Sequence, residues 1–235
     1  MRGAVVFAGP SIFGIDRALL VHVDLRPPAG RGDILFAAAE GARAIGLIDG
    51  LFDSEPAVWH KEILYALSRG IPVLGAASMG ALRGAECAAF GMVGVGGIFE
   101  EYASGARAAD ADVGVAHAPA ELGYQPMTVA LVDAEAILGT LREMKQIDVP
   151  THGRLIERAR RLHFKARTWE AMFGDDAASL VESATALPSR KMADAALLLG
   201  RLRRGRLKHP APFVLNLTGY LANLADELGI ELEFE

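Results

Sequence analysis

The sequence predicts an α/β fold: a largely parallel central sheet with flanking helices, followed by a helical C-terminal region. Two observations carry this expectation. The short apolar runs "AVVFAG" (4–9), "AIGLIDG" (44–50) and "IPVLGAA" (71–77) end in Gly, Asp or Ala and alternate with helix-like segments, as strands joined by crossover helices do. From about residue 134 the pattern turns helical and charged, as in "AEAILGTLREMKQI" and "HGRLIERARRLHFKARTWEAMF". Residues 1–133 therefore read as the α/β core, and 134–235 as a mostly helical region packed on it.

Taken in order, the opening "MRGAVVFAGPSIFGID" reads as a first buried strand rather than a signal peptide. Its apolar run is short, broken by Gly9 and Pro10, and followed by Asp16. Between the second and third runs, Asp53 or Ser54 is placed to cap a helix with Pro56 in its first turn, and Gly70 and Pro72 stop it. That helix is expected over about 55–69. On a helical wheel Trp59, Ile63, Ala66 and Leu67 form its core face, His60 joins the apolar arc, and Lys61 falls opposite. After the third run, "IPVLGAASMGALRGAE" reads as strand, sharp turn and helix. The glycines of "FGMVGVGGIFEEY" match neither phosphate-binding pattern and are expected to shape a tight surface turn.

Composition narrows the class further. A chain of 235 residues, 51% hydrophobic and 23% charged, can bury one substantial core. The single cysteine, Cys87, cannot form an internal disulfide, which fits a reducing cytoplasm. No apolar stretch approaches membrane-spanning length, so no membrane partner is expected. The net charge of −5 conceals an asymmetry: residues 154–209 hold 13 Lys/Arg against 6 Asp/Glu, and the remainder 11 against 23.

One stretch, "GAASMGALRGAE" (75–86), bears on chemistry. Ser78 has Ala76 and Gly80 two residues to either side, a relaxed form of the nucleophile elbow, in which small residues let the backbone fold tightly and the hydroxyl stand clear. The following helix aims the N–H groups of Met79 and Gly80 at the same spot, where they can stabilise an oxyanion. Serine is equally a preferred helix cap. No histidine stands in an obvious triad order, so Lys61 becomes the candidate base, since its helix should start at the sheet edge where Ser78 emerges. Ser11, Asp49 and His117 gather near that edge as possible supporting groups, and His60 is a further alternative. Asp110, Asp112 and His117 form only a weak metal pattern, so neither a metal nor a cofactor is expected.

The longer string "IDGLFDSEPAVWHKEILYALSRGIPVLGAASMGALRGAECAAFGMVGVGGIFEEYASG" closely resembles the TfuA-like family, above all in "HKEIL", "GAASMGALR" and "FGMVGVG". The resemblance runs from about residue 4 to at least 170, taking in "FAGPS", "RGDI", "DADVGVAH" and "ARTWE". It implies a partner of a YcaO-type ATP-dependent enzyme that modifies peptide backbones. It also implies a hydrolase that releases sulfide from the C-terminal thiocarboxylate of a ThiS-like small sulfur carrier protein, for thioamidation in ribosomal peptide (RiPP) biosynthesis or protein modification.

The same resemblance implies a Ser–Lys catalytic pair, Ser78 and Lys61, with Lys61 as the neutral amine taking the serine proton. Gly75 and its small neighbours would leave space for the glycine-ended carrier tail, and Arg83 would hold an anionic tail unless it merely pairs with Glu86. The family's Asp-Asp-Glu-Val run appears here as Asp110, Ala111, Asp112 and Val113. Two rivals stand beside the hydrolase: a non-catalytic adapter that presents peptide or carrier to YcaO, and a nucleic-acid binder using "RLRRGRLKHP". The second is disfavoured by the acidic remainder and the lack of stacking aromatics near those arginines, so no nucleic-acid partner is expected.

Overall fold

The computed structural model describes residues 3–53, 55–174 and 178–232. Five strands, β1 (Ala4–Phe7), β2 (Val23–Arg26), β3 (Ile45–Leu47), β4 (Val73–Ala76) and β5 (Val93–Val95), make one all-parallel sheet in the order β2-β1-β3-β4-β5. β1, β3 and β4 are the three apolar runs. They are continuous runs because both faces of the sheet are covered: Val5, Phe7, Ile45, Leu47 and Val73 point to one core, and Val6, Ile48, Leu74 and Ala76 to the other.

The edge strands β2 and β5 were not expected. "VDLR" is half-exposed, and "VGV" lies where a surface turn was expected. Gly94 there sits in register with Gly75 and leaves room for the Phe99 ring, which a Cβ would approach to 2.0 Å. The glycines of this stretch therefore serve close packing at a sheet edge.

Helices α1 (Asp33–Ala39), α2 (His60–Ser68), α3 (Met79–Glu86) and α4 (Gly97–Ala103) follow β2, β3, β4 and β5. The crossovers through α1, α2 and α3 step the same way across the sheet, so right-handed connections put these helices on one face. α2 is shorter than the sequence predicts. Residues before it stay extended because the Arg31 N–H donates to the Pro56 carbonyl and Ala57 bridges to Gly30. Asp53 is drawn away to Lys165, and Ser54 lies outside the described residues. The helix start is closed instead by Glu62, fully buried, whose carboxylate accepts the Trp59 N–H at 2.9 Å and the Gly32 N–H at 2.8 Å.

The second half is helical: α5 (Leu131–Glu143), α6 (Val149–Arg161), α7 (Trp169–Phe173), α8 (Ala178–Ala186), α9 (Arg190–Arg204) and α10 (Gly219–Leu228). α5 to α8 gather around Leu138, Leu141 and Met172. The β1–β2 connection runs against the other crossovers and holds only 3-10 turns at Pro10–Ile12 and Arg17–Leu19, so it leaves the second sheet face bare. α9 covers that face with Ala195, Leu198, Leu199 and Leu202. The chain then crosses back, with Phe213 against Phe90 at 5.8 Å, and α10 buries Leu221, Leu224 and Ala225 in the first core. Among the described residues no helix is long and apolar enough to cross a membrane.

Candidate functional site

The C-terminal ends of β1, β3 and β4 open into a cavity of about 210 Å³ whose lining includes Pro10, Asp49, Ser78, Met79, His117 and Lys191. This is where ligands bind in doubly wound parallel sheets, beside the point where strand order reverses. Strand order here reverses between β1 and β3. Asp49, leaving β3, clamps the loop after β1: its carboxylate accepts the Gly9 N–H at 2.8 Å, the Ser11 N–H at 3.0 Å and the Ser11 hydroxyl at 2.7 Å. Ser11 and Asp49 thus hold one wall of the cavity in place.

Ser78 sits where β4 turns into α3. The turn forces Ala77 to φ +65°, a left-handed conformation that costs an L-residue of this kind roughly 1–2 kcal/mol. The strain falls on the residue before the serine. Ser78 occupies the helix N-cap position, yet its hydroxyl caps nothing. The Oγ lies instead 3.5 Å from the Val113 carbonyl, so the helix-cap role read from the sequence is not the one the side chain performs.

The expected oxyanion donors divide. The Gly80 N–H donates to the Ile48 carbonyl at 3.2 Å and is spent. The Met79 N–H has no backbone acceptor among the described residues. Gly75 and Gly80 do not line the cavity; they let α3 lie against the sheet. A Cβ on Gly80 would stand 1.8 Å from the Leu47 carbonyl oxygen, and one on Gly75 would stand 2.0 Å from the Gly80 carbonyl oxygen.

Lys61 is not brought to Ser78. Its Nζ donates to the Asn216 carbonyl at 3.3 Å, in the segment that crosses the outer surface of α2. The wheel placed it correctly on the outer face. His60 departs from the wheel: it lies at the first position of α2, beyond the core, with half its side chain exposed and Nε2 2.8 Å from Glu86. Arg83 turns the same way, donating to Glu86 at 2.6 Å and to the Val58 carbonyl at 3.0 Å, so it is a structural ion pair outside the cavity. His117 does line the cavity, with Nδ1 2.8 Å from the Ala118 carbonyl oxygen. Asp110 also lines it, whereas Asp112 is held by Arg107 at 2.6 Å. Among the described residues no three His, Cys, Asp or Glu side chains gather as metal ligands.

The lysine beside Ser78 is one that sequence reasoning missed. Lys191, in the first turn of α9 and 3% exposed, donates from Nζ to the Val113 carbonyl at 2.7 Å, the same oxygen that Ser78 Oγ approaches. Its position is fixed from behind. The Asp133 carboxylate accepts the Lys191 N–H at 3.1 Å and the hydroxyl of the N-cap Ser189 at 3.0 Å. Burial pushes the Asp133 carboxyl above its ordinary range, against the opposing pull of Lys191 and these hydrogen bonds. A local signal existed: Lys191 stands on the stripe of Ala195, Leu198 and Leu202 that α9 buries, a place where a solvated lysine does not belong.

These features define a doubly wound α/β protein in which a serine that caps no helix and a buried lysine converge on one carbonyl at the C-terminal edge of the sheet. The model of the TfuA-like protein family matches residues 49–168, half of the chain, and the chain belongs to that family. The matched segment holds Ser78, Val113 and His117 but ends before Lys191. No match was found among curated proteins.

Proposed function

We propose that the protein is a Ser–Lys hydrolase of a protein C-terminal thiocarboxylate, releasing sulfide from a ThiS-like sulfur carrier for a YcaO-type enzyme that thioamidates a peptide backbone. The observation that supports it is the convergence of Ser78 Oγ and Lys191 Nζ on one carbonyl inside a cavity. A nucleophilic hydroxyl needs a base within hydrogen-bond reach, and a lysine removed from water and held by a carbonyl can serve when its amine is neutral. Lys191 takes the place that the family resemblance suggested for Lys61.

In this reading the Lys191 amine receives the Ser78 proton as Oγ attacks the thiocarboxylate carbon. The C–O bond forms, and negative charge develops on the former carbonyl oxygen near the Met79 N–H. The intermediate collapses by breaking the C–S bond, the Lys191 ammonium passes its proton to the departing sulfur, and hydrosulfide leaves with the amine neutral again. Water, deprotonated by that amine, then attacks the acyl-serine; the ester C–O bond breaks, Lys191 returns the proton to Oγ, and the carrier leaves as a carboxylate. The small cavity admits a slender tail rather than a folded surface.

The test is sulfide release from thiocarboxylated carrier. Ser78→Ala should abolish it in a folded protein. Lys191→Met, which keeps the stem and removes the amine, should slow it by about 10² or more, while Lys61→Met should leave it near wild type. Wild-type release from Ser78→Ala would refute the nucleophile and leave the adapter as the reading to pursue. A large loss in Lys61→Met with full activity in Lys191→Met would return the base to α2.

A further inference from the structure

α9 joins two ends of the molecule. Lys191 stands at its start, in the Ser78 cavity, and about 20 Å away, at about 1.5 Å per residue, its C-terminal end reaches the opposite edge of the same sheet face, where β4 and β5 begin. There, Arg201, Arg204, Arg206 and Lys208 surround a cavity of about 260 Å³ whose remaining lining is Leu74, Val93 and Leu207. Elsewhere arginines hold carboxylates: Arg26 with Asp24 and Glu40, Arg83 with Glu86, Arg107 with Glu101, Asp112 and Glu135. Among the described residues the four cations of this cavity hold none. Three arginines in the last turn of α9, one of them Arg203, complement its dipole, but Arg206 and Lys208 lie past the helix and add positive charge that this role does not need.

We propose that this cavity docks an acidic segment of a partner protein, with carboxylates on the four cations and an aliphatic side chain against Leu74, Val93 and Leu207. The lining decides between classes of polyanion. No aromatic side chain is available to stack a base, and the chain's net charge of −5 repels an extended polyanion everywhere beyond the patch. The apolar wall gains nothing from a bare phosphate and does gain from a leucine or valine of a peptide. This site stands independently of the chemistry assigned to Ser78.

A fluorescein-labelled peptide alternating Glu and Leu, titrated with the full chain, tests it. Binding is expected, weakening steeply as salt rises through about 0.1 M, where exposed charges more than about 10 Å apart are screened. The double variant Arg201→Glu, Arg206→Glu should weaken it at least tenfold, the Gln counterpart less, and a Gln–Leu peptide should not bind. The substituted residues are exposed, and circular dichroism checks that the variants fold. Binding of the acidic peptide that ignores both salt and the charge reversal overturns the proposal. So does equal competition by inorganic pyrophosphate or by a single-stranded oligonucleotide, since either would mean the cavity reads anionic charge without the peptide. No step of this experiment requires turnover, so loss of the hydrolase reading leaves its outcome unaffected.

Discussion

At the scale of single residues, the site turns on which lysine meets Ser78. The choice is set by burial and direction: Lys61 points to the strap that crosses α2, and Lys191 points into the cavity. The proposed sulfide release raises a second question about Cys87, the single thiol. It is 1% exposed, and burial, reinforced by Glu86, pushes it up to about 11. Alkylation of native Cys87 at neutral pH should therefore run more than about a hundredfold slower than in the unfolded chain, whose thiol titrates near 8.5. Fast labelling in the folded state would sink this expectation and reopen a route in which Cys87 itself carries sulfur.

Elements meet here through backbone and carboxylates as much as through apolar side chains. α3 reaches the sheet because Gly80 has no side chain, and Gly80→Ala should destabilise the protein by about 3 kcal/mol or more, since the Leu47 carbonyl it would strike belongs to a strand that cannot move aside. Urea unfolding measures this, and a cost near zero would mean that α3 shifts freely. At the far edge, Asp194 of α9 accepts the N–H groups of Gly97 at 3.2 Å and Ile98 at 2.9 Å, closing the start of α4. Burial raises the Asp194 carboxyl above its ordinary value, outweighing those two hydrogen bonds. A raised folded-state value gives stability that is present below the unfolded value and is lost as pH rises through the folded one. Asparagine does not titrate, so the cost of Asp194→Asn should be larger near about pH 3 than near about pH 7. Unfolding curves at both conditions check the sign, and an equal or reversed difference would contradict it.

Across the whole molecule, both faces of the sheet are closed with helices from the second half of the chain. α1 and α2 lie on one face with α10 returning over them, and α9 fills the face that the helix-free β1–β2 connection leaves open. The C-terminal segment is therefore part of the core. Leu221→Ala, at a fully buried position, should cost about 2–5 kcal/mol in global unfolding, as a core leucine near the centre of a domain does. A loss confined to α10, with the unfolding midpoint of the rest unchanged, would show that the segment is only an attachment. The same arrangement links the basic cavity to the Ser78 cavity by one helix, so a partner docked at the far end of α9 rests on the element that carries Lys191.

The sequence by itself determined the parallel α/β sheet, its three central strands and the turn at Ser78. Strands buried on both faces must be apolar throughout, and a tight strand-to-helix turn must be built from small residues, so both leave local marks. β2 and β5 left none, because an edge strand half in water needs no apolar run. Nor could the sequence show which lysine approaches Ser78. Helical periodicity marks Lys191 as buried, but its neighbour is set by which sheet face α9 covers, and that follows from the missing helix between β1 and β2. Lys61 carried the stronger motif and still ended outside, because the later segment around Asn216 lies over α2 and takes its amine. Local pattern fixes which side of an element faces inward; only the closing of the sheet by distant helices fixes what each inward group meets.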